Sequence, residues 1–195
     1  MPKEYHSTNP PASIQPLIGE RIFLRDYQLA DLNAVHAWLA DAETMKYLGT
    51  GHTRSLEETL VRFAACIEHK LAAERTSWNL ALVLKETAEV VGQIGLFYRH
   101  RKFDGGEGGL GWFLRKDMWR QGLASEGARL AVDFGFRTLQ MDKISASCIA
   151  GNTASERIMQ KLGMTKEAEY RESSVRFGQR VNRLGYAILR SEWQA

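Results

Sequence analysis

The chain has 195 residues, of which 44% are hydrophobic and 25% are charged. This balance suits a globular domain and excludes an extensively disordered chain. The net charge of +3 is too small for the concentrated basic face of nucleic-acid-binding proteins, so we expect no nucleic acid as substrate. No segment is apolar over the length of a membrane span and no signal-peptide pattern is present, so we expect a cytoplasmic protein without a membrane partner.

Cysteine and histidine are too sparse to build a cross-linked or metal-binding fold. The two cysteines, Cys66 and Cys148, do not make a disulfide framework, and we expect both to be reduced, buried small hydrophobes. The five histidines lack the spacing typical of a metal site, so we expect no metal.

The prolines separate the chain into two parts. All four lie within residues 1–16, a polar stretch without periodicity, which predicts a flexible amino-terminal extension. No proline, linker or internal repeat follows, so residues 17–195 are expected to form one domain.

The first elements alternate between strand and helix patterns. A strand is predicted over 21–25, and a helix begins at Asp31. A second helix, over 55–74, starts with a Ser and a Glu in capping-box spacing. Strands over 78–84 and 90–98 follow and form a hairpin. The polar, glycine-rich stretch 99–109 is interpreted as a connection to a strand that ends at 114.

The turn at 119–126, with the sequence Trp-Arg-Gln-Gly-Leu-Ala-Ser-Glu, is the most informative stretch. It opens directly into a helix with small or apolar residues at helical spacing. These residues are Leu123, Gly127, Ala131, Phe134 and Thr138. Such a turn presents unpaired backbone N–H groups at the positive end of the helix dipole, where phosphate is the usual ligand. An ordinary strand-to-helix turn is the alternative.

The remaining elements complete a mixed α/β pattern. A strand is predicted over 143–148, and the next helix opens with a capping box of Thr153 and Glu156. Gly163 stands where a left-handed residue ends that helix. A closing strand is predicted over 183–189.

This order, together with two motifs, closely resembles the GNAT superfamily of N-acetyltransferases. The motifs are the 119–126 turn and Asn-Thr-Ala-Ser-Glu-Arg-Ile-Met-Gln-Lys-Leu-Gly-Met at 152–164. The resemblance spans 17–193 and is nearest to the Rim-type branch of ribosomal-protein N-acetyltransferases, in which Trp is usual at the position of Trp119. It implies a mixed, mostly antiparallel twisted sheet flanked by helices, with acetyl-CoA as cosubstrate.

The resemblance also implies residue roles. The N–H groups of 120–125 would hold the pyrophosphate of acetyl-CoA, and the strand end at 113–115 would diverge from its neighbour, pair with the pantetheine arm and polarise the acetyl carbonyl. Asn152 would bind that arm, and Ser155 would protonate the leaving thiolate after direct attack by the amine. The implied cofactor-binding residues are Phe113, Leu114, Arg115, Trp119, Arg120, Gln121, Gly122, Leu123, Ala124, Ser125, Asn152 and Ser155.

Several of these residues have a purely structural alternative. Asn152 can be a local helix cap, although Thr153 is the better-placed cap residue, which would leave Asn152 free. Ser155 can be a solvated first-turn serine, and the aromatic residues can be core or lid residues. Arg115 and Arg120 can be exposed without binding a ligand.

The general base is the least determined part of the chemistry. An alkyl ammonium group titrates near 10, so a carboxylate or an ordered water normally accepts its proton. In the resembled branch a Glu often stands where this chain has Gly109. Glu107 lies two residues earlier, on the same face of a regular strand, and is the candidate base, directly or through water. It can also be a solvated loop residue, in which case positioning of the amine and water would suffice.

Two other patterns are interpreted as structural features without a binding role. The G-x-G-x-x-G run at 106–111 matches a dinucleotide fingerprint, but a strand-like run follows it instead of the required helix. We therefore interpret its glycines as freedom for a strand to move or bulge. The basic run at 99–102 is expected to be a solvated loop; otherwise it would steer an acidic peptide, RNA or the cofactor's phosphates.

The acceptor is less determined than the cofactor. A protein α-amine is favoured, and an aminoglycoside or polyamine is next. A non-catalytic acyl-CoA-binding sensor or interaction module is the alternative of another class, which the missing carboxylate at Gly109 keeps open. The acceptor pocket is expected in loops at 44–53 and 170–179, and both a monomer and a homodimer remain open.

Overall fold

The computed structural model describes residues 14–47, 52–53, 55–72, 75–102, 105–176 and 178–194. Within these ranges, eight strands form one sheet in the order β1-β2-β3-β4-β5-β6-β8-β7. The strands are β1 (Leu17–Ile18), β2 (Ile22–Asp26), β3 (Ser77–Leu84), β4 (Val90–Lys102), β5 (Gly105–Leu114), β6 (Lys143–Ile149), β7 (Thr165–Arg176) and β8 (Gln179–Leu189). Neighbouring strands are antiparallel except β5 and β6, which are parallel. The predicted fold class is confirmed.

Helices cover both faces of the sheet. They are α1 (Leu32–Leu39), α2 (Leu56–Leu71), α3 (Leu123–Arg137) and α4 (Thr153–Lys161). Along β3, Leu80 and Leu82 belong to a core cluster with α3 and α4, whereas Ala81 and Val83 belong to a second cluster with α1 and α2. Because both faces of this strand are buried, its sequence is a continuous apolar run. No helix in the described residues combines the length and apolar character that a membrane span requires.

Helix α3 packs closely against the centre of the sheet. Its residues Leu123, Gly127, Ala131 and Phe134 are buried as predicted. A Cβ on Gly127 would lie 3.0 Å from side-chain atoms of β3 and β4, so glycine allows this close approach. Thr138 is exposed, because α3 ends one residue before it.

The structure confirms two of the three capping residues predicted at helix ends. The Oγ atom of Ser55 accepts the N–H of Glu58 at 3.2 Å and caps α2. Gly163 is left-handed (φ +75°) just after α4. The third signal, at the start of α4, is wrong and is described with the site. Helix α2 ends at Leu71; residues 73–74 of its predicted range lie outside the described residues.

The predicted connection over 99–109 is wrong. Strand β4 continues to Lys102 and β5 begins at Gly105, so Glu107 lies in a strand. Glycine is depleted in strands, but here close packing requires it. A Cβ on Gly108 would lie 2.5 Å from the sulfur of Met141. The G-x-G-x-x-G run lies inside β5, and no helix begins there. Side-chain placement in the basic run at 99–102 is described only for Arg99.

The carboxyl-terminal hairpin also differs from the prediction. The sequence indicated no strand at Thr165–Arg176, where β7 lies, and β8 begins at Gln179, four residues before the predicted closing strand. Most side chains of β7 are exposed, so it lacks the apolar alternation that marks a strand. The expected acceptor loop at 170–179 is therefore part of a hairpin. Residues 48–51 of the other expected loop lie outside the described residues.

Candidate active site

Strands β5 and β6 diverge partway along their length. They pair only over 107–109 with 143–145. Beyond Gly109, β5 continues beside β4 to Leu114, and beyond Ser145, β6 continues beside β8 to Ile149. The result is a wedge-shaped gap whose vertex lies at Gly109 and Ser145. Backbone groups along its edges are available to an extended ligand arm. The predicted divergence at 113–115 is confirmed and begins earlier, after Gly109.

The 119–126 turn lies at the open end of this gap and has a backbone geometry that suits an anion. Gly122 (φ +82°) precedes α3, and Arg120 (φ +61°) is also left-handed. Such residues gather backbone N–H groups into anion-binding nests. In the described part of the chain, the N–H groups of 120–125 have no hydrogen-bond partner; the first helical bond runs from Glu126 N to Gly122 O at 3.0 Å. Together with the helix dipole, they fit a pyrophosphate.

Arg21 holds this turn from the sheet. Its Nη1 donates to the carbonyl oxygen of Gln121 at 2.8 Å, and its Nε donates to Glu126 at 3.2 Å. Glu126 also accepts the backbone N–H groups of Arg21 and Ile22, at 2.8 and 3.2 Å. A trans peptide points its C=O and N–H in opposite directions. Anchoring the Gln121 carbonyl therefore fixes the direction of the Gly122 N–H.

Arg21 and Glu126 were not identified from the sequence as part of the site. The contact from Arg21 to Gln121 joins residues 100 positions apart. No local sequence pattern indicates such a contact, because it arises only from the packing of α3 against β2.

The other predicted cofactor residues near the turn brace it. The indole Nε1 of Trp119 donates to the Leu114 carbonyl at 2.8 Å, which closes the turn onto the end of β5. The Gln121 side chain donates to the Asp117 carbonyl at 3.0 Å. Leu123 and Leu114 are buried in the core, and Ala124 packs against it. Ser125 lies in the first turn of α3.

The two arginines of the predicted set differ in their partners. Arg115 forms ion pairs with Asp117 at 2.7 Å and Glu89 at 3.5 Å, and its hydrogen bond to Asp117 raises the pKa of its guanidinium. Arg120 has no carboxylate partner among the described residues and is exposed. Arg120 is therefore the one available to a phosphate. Phe113 packs edge-on against Trp38 of α1, with ring centroids 5.0 Å apart, so its partly buried side chain lies against the core.

The cap of α4 is Asn152, not Thr153. The Asn152 Oδ1 accepts the N–H of Ser155 at 3.2 Å, and α4 begins at Thr153. Asparagine is a strong N-cap residue in its own right, and this interaction outweighs the capping box predicted from Thr153. The Asn152 amide N–H₂ group and the Ser155 hydroxyl have no hydrogen-bond partner among the described residues, so both retain donors for a ligand.

A cavity of about 320 Å³ lies beside the vertex, on the face that α1 and α2 cover elsewhere. We call it the vertex cavity. Its lining includes Arg99, Glu107, Ser145, Ser147, Tyr170 and Arg183. Ser145 and Ser147 alternate with the core residues Ile144, Ala146 and Cys148, so their side chains face away from α3. The cavity and the 119–126 turn thus lie at different parts of the same gap.

Glu107 is the carboxylate of β5 and lies two residues before Gly109, at the vertex. Its Oε1 lies 2.9 Å from the Ser145 hydroxyl, which shares its single proton between this carboxylate and the Gly108 carbonyl at 3.1 Å, and the Glu107 side chain is half-buried. Since Ser145 forms the vertex with Gly109, this bond holds the carboxylate toward the point where the strands separate.

No side chain fits at Gly109 with its present neighbours. Phe97 is paired with Gly109 across β4 and β5. A Cβ on Gly109 would lie 2.3 Å from the Phe97 ring and 3.0 Å from Arg99 Nε. The position at which the resembled branch often carries a carboxylate is therefore occupied by an aromatic ring of the neighbouring strand.

The cysteines do not supply a nucleophile. Both are free thiols; Cys148 is buried and Cys66 is partly buried. Burial, followed by the nearby charge of Glu156, raises the pKa of Cys148 to about 11, and burial raises that of Cys66 to about 11. Both are protonated near neutral pH, whereas the thiolate is the reactive form. Among the described residues, no group of three or more His, Cys, Asp or Glu side chains could hold a metal ion.

Known proteins are similar to this chain over nearly its whole length. An uncharacterised N-acetyltransferase, p20 of Bacillus licheniformis, is 26% identical over 92% of this chain and 99% of its own. A GNAT-family acetyltransferase structure from Bacillus anthracis is 25% identical, with a TM-score of 0.77 over 91% of this chain and 100% of its own.

Two further structures are named for different acceptors. The ribosomal L7/L12 α-N-protein acetyltransferase RimL, in complex with coenzyme A, has a TM-score of 0.79 at 16% identity, over 90% of this chain and 98% of its own. The spermidine N-acetyltransferase from Vibrio cholerae, in complex with CoA and spermine, has a TM-score of 0.75 at 18% identity, over 88% and 97%. At these identities, the likeness shows the shared fold alone.

The match to a protein-family sequence model identifies the family of this chain. Residues 21–165 match the acetyltransferase (GNAT) domain, a range that contains the 119–126 turn, the divergent strands and Asn152. The chain therefore belongs to the GNAT acetyltransferases, enzymes that transfer an acetyl group from acetyl-CoA to an amine.

Proposed function

We propose that this enzyme acetylates the α-amine of a protein, with Glu107 as the base. The observation that carries the proposal is the vertex cavity: it opens where β5 and β6 separate and holds the Glu107 carboxylate, fixed by Ser145 at 2.9 Å. An amine in this cavity would meet the thioester at the vertex from the side opposite α3.

The cofactor residues divide the binding of acetyl-CoA between them. The free N–H groups of 120–125 bind the pyrophosphate, aided by Arg120. The edge of β5 at 113–115 binds the pantetheine arm and polarises the acetyl carbonyl, and Asn152 donates to that arm from the opposite side of the gap. These assignments rest on the family resemblance and on the unpartnered donors described above.

The proposed chemistry needs two proton transfers. Glu107, directly or through one water, accepts a proton from the amine as its nitrogen bonds to the acetyl carbon. The C–S bond then breaks with its electron pair on sulfur. Ser155 donates its hydroxyl proton to that sulfur and is reprotonated from solvent. The high pKa of Cys148 supports direct attack by the amine without an acyl-cysteine.

The pKa of the acceptor favours an α-amine. An α-amino group titrates near 7.7–8.0, so about one in ten is neutral at pH 7, whereas a lysine amine near 10.4 is neutral in fewer than about one in a thousand. A single carboxylate that accepts a proton is thus better matched to the α-amine. The fold shared with a protein α-amine acetyltransferase is consistent with this acceptor.

The test combines CoA release with CoA binding. Thiol release is measured with peptides that have a free α-amine, peptides with a blocked α-amine and a free lysine, spermidine and an aminoglycoside. Turnover confined to free α-amines is expected. Turnover on spermidine or the aminoglycoside alone would contradict the acceptor. Tight CoA binding without turnover on any of them would favour a non-catalytic acyl-CoA binder.

A pair of variants tests the base. Glu107→Gln should lower kcat by roughly 10²–10⁴-fold, the usual contribution of a general base, with unchanged affinity for CoA. Glu169→Gln is the matched control, because Glu169 lies on β7, is exposed and, within the described part of the chain, pairs with the nearby surface groups of Lys166 and Asn182. An unaltered pH–rate profile in Glu107→Gln would rule Glu107 out as the base.

A further inference from the structure

We infer that the acceptor carries a carboxylate beside its amine, as an amino-terminal segment with Asp or Glu at its second or third position does, and that Arg99 and Arg183 bind this group. The inference rests on the proposed function and specifies its substrate. It draws on the charges that line the vertex cavity.

Arg99 flanks the cavity on the β4 side. Its guanidinium lies over the Phe97 ring at 6.0 Å, and its Nε lies 3.0 Å from where a Gly109 Cβ would be. Among the described residues it has no carboxylate partner. Stacking on an aromatic ring orders a guanidinium without neutralising it, so Arg99 keeps its donors and its charge for a ligand.

Arg183 flanks the cavity on the β8 side. Its Nε donates to the Ser147 hydroxyl at 2.9 Å, which draws the side chain across β6 toward the cavity. It too has no carboxylate partner within the described chain. One of its donors is used for orientation, and the outer nitrogens remain for the planar, two-point binding that a carboxylate prefers.

The acidic groups of the cavity do not balance these two charges. Glu167 is already paired with Lys143 at 2.7 Å. Glu107 is bonded to the neutral Ser145. Among the lining residues that the structure describes, the charges without an oppositely charged partner are therefore two guanidinium groups and one carboxylate. A polyamine would place its second cation beside an arginine and be repelled, whereas an amine with a carboxylate complements both signs.

The spacing of the strands fits a short peptide. Glu107 is bonded to Ser145, and Arg183 is bonded to Ser147, two residues further along the same face of β6, which separates the two contacts by about 7 Å. Arg99 lies on β4 beside the residue that pairs with Glu107, about 5 Å away at the usual strand separation. An extended peptide advances about 3.3 Å per residue. With its α-amine at Glu107, an acidic side chain at the second or third position therefore reaches one of the two arginines.

The experiment compares short peptides that differ only at the second or third residue. Each begins with Ala and carries Asp, Glu, Gln or Lys at the test position. For the unmodified enzyme, kcat/KM should be about 10-fold or more higher for the acidic peptides than for the Gln peptide, the effect of one charge-assisted hydrogen bond. The Lys peptide should be the poorest.

Variants then assign the preference to residues. Arg99→Gln and Arg183→Gln should each reduce the preference through KM with kcat little changed, and Arg183→Glu should shift it toward the Lys peptide. Arg180→Gln is the matched control, since Arg180 is exposed on the same strand and bonds the Glu172 carbonyl at 3.1 Å. It should keep the full preference.

Three results would overturn the inference. Equal kcat/KM for acidic, neutral and basic peptides would remove the carboxylate requirement and leave the proposed α-amine acetylation standing. An acidic preference that survives in the Arg99→Gln, Arg183→Gln double variant would place the recognition elsewhere. Turnover on spermidine alone would remove both the inference and the proposed acceptor.

Discussion

Gly122 is the position at which the proposed cofactor site is most sensitive to a single substitution. It is left-handed (φ +82°), and an added Cβ would lie 3.3 Å from Arg21 Nη2. In Gly122→Val, keeping this conformation costs about 1–2 kcal/mol and places methyl groups in the anion site. Relaxing it turns the N–H groups away. Losing two charge-assisted hydrogen bonds costs about 3–6 kcal/mol, so CoA should bind more than about 100-fold more weakly.

The assay is calorimetric titration with CoA, alongside thermal unfolding. Gly178→Val is the matched control, because Gly178 is also left-handed (φ +75°) and a Cβ there meets open space. Both variants should lose about 2–8 °C in Tm from the same backbone strain, but only Gly122→Val should lose CoA binding. A Gly122→Val protein that binds CoA within about 3-fold of the original would refute the assignment of the turn as a phosphate site.

Three further predictions concern other parts of the molecule. Arg21→Gln should weaken CoA binding about 2–10-fold, because the half-exposed bond to the Gln121 carbonyl contributes about 0.5–1.5 kcal/mol; unchanged affinity would show that the turn holds itself. Asp26→Ala removes a carboxylate that binds the buried Arg75 guanidinium at 2.5 and 3.0 Å, and should lower the free energy of unfolding in urea by about 3–5 kcal/mol; a loss below about 1 kcal/mol would contradict this. In Cys66→Ala, the rate of alkylation of Cys148 should rise about 9-fold from pH 9 to 10, because its pKa is raised to about 11; a rise of less than about 2-fold would indicate an unperturbed thiol.

The elements with two buried faces or a clear stripe were predictable. The continuous apolar run in β3 and the apolar stripe in α3 indicate burial directly. They therefore predict a central strand of the sheet and the helix that packs on it. Strand β7 was not predictable because its side chains are mostly exposed. It is held by pairing with β8, and backbone pairing leaves no trace in the composition of a solvated strand.

The 119–126 turn could be proposed as the cofactor site from the sequence because its chemistry is local. Gly122 and the N–H groups around it lie in one short stretch, and the resemblance identified that stretch. Arg21 was missed because its role comes from a contact across the sheet. Asn152 was misjudged because two adjacent residues can both cap a helix, and only the backbone angles of the turn decide between them.

The assignment of the base also depends on a contact between strands, and a double substitution tests that contact. Phe97 and Gly109 are paired, and a Cβ on Gly109 would lie 2.3 Å from the Phe97 ring. Gly109→Glu alone should therefore destabilise the protein by roughly 1–3 kcal/mol or more through overpacking.

In the Phe97→Ala background the same glutamate has room, and it would stand at the vertex itself. We add both substitutions to the Glu107→Gln protein. If Glu107 serves as the base only because the Phe97 ring excludes a carboxylate from Gly109, Phe97→Ala with Gly109→Glu should restore much of the rate lost in Glu107→Gln. The matched control is Phe97→Ala with Gly109→Gln, which has the same shape without the charge. Equal rates in the two rescue variants, both properly folded, would mean that a carboxylate at the vertex does not act as a base in this enzyme.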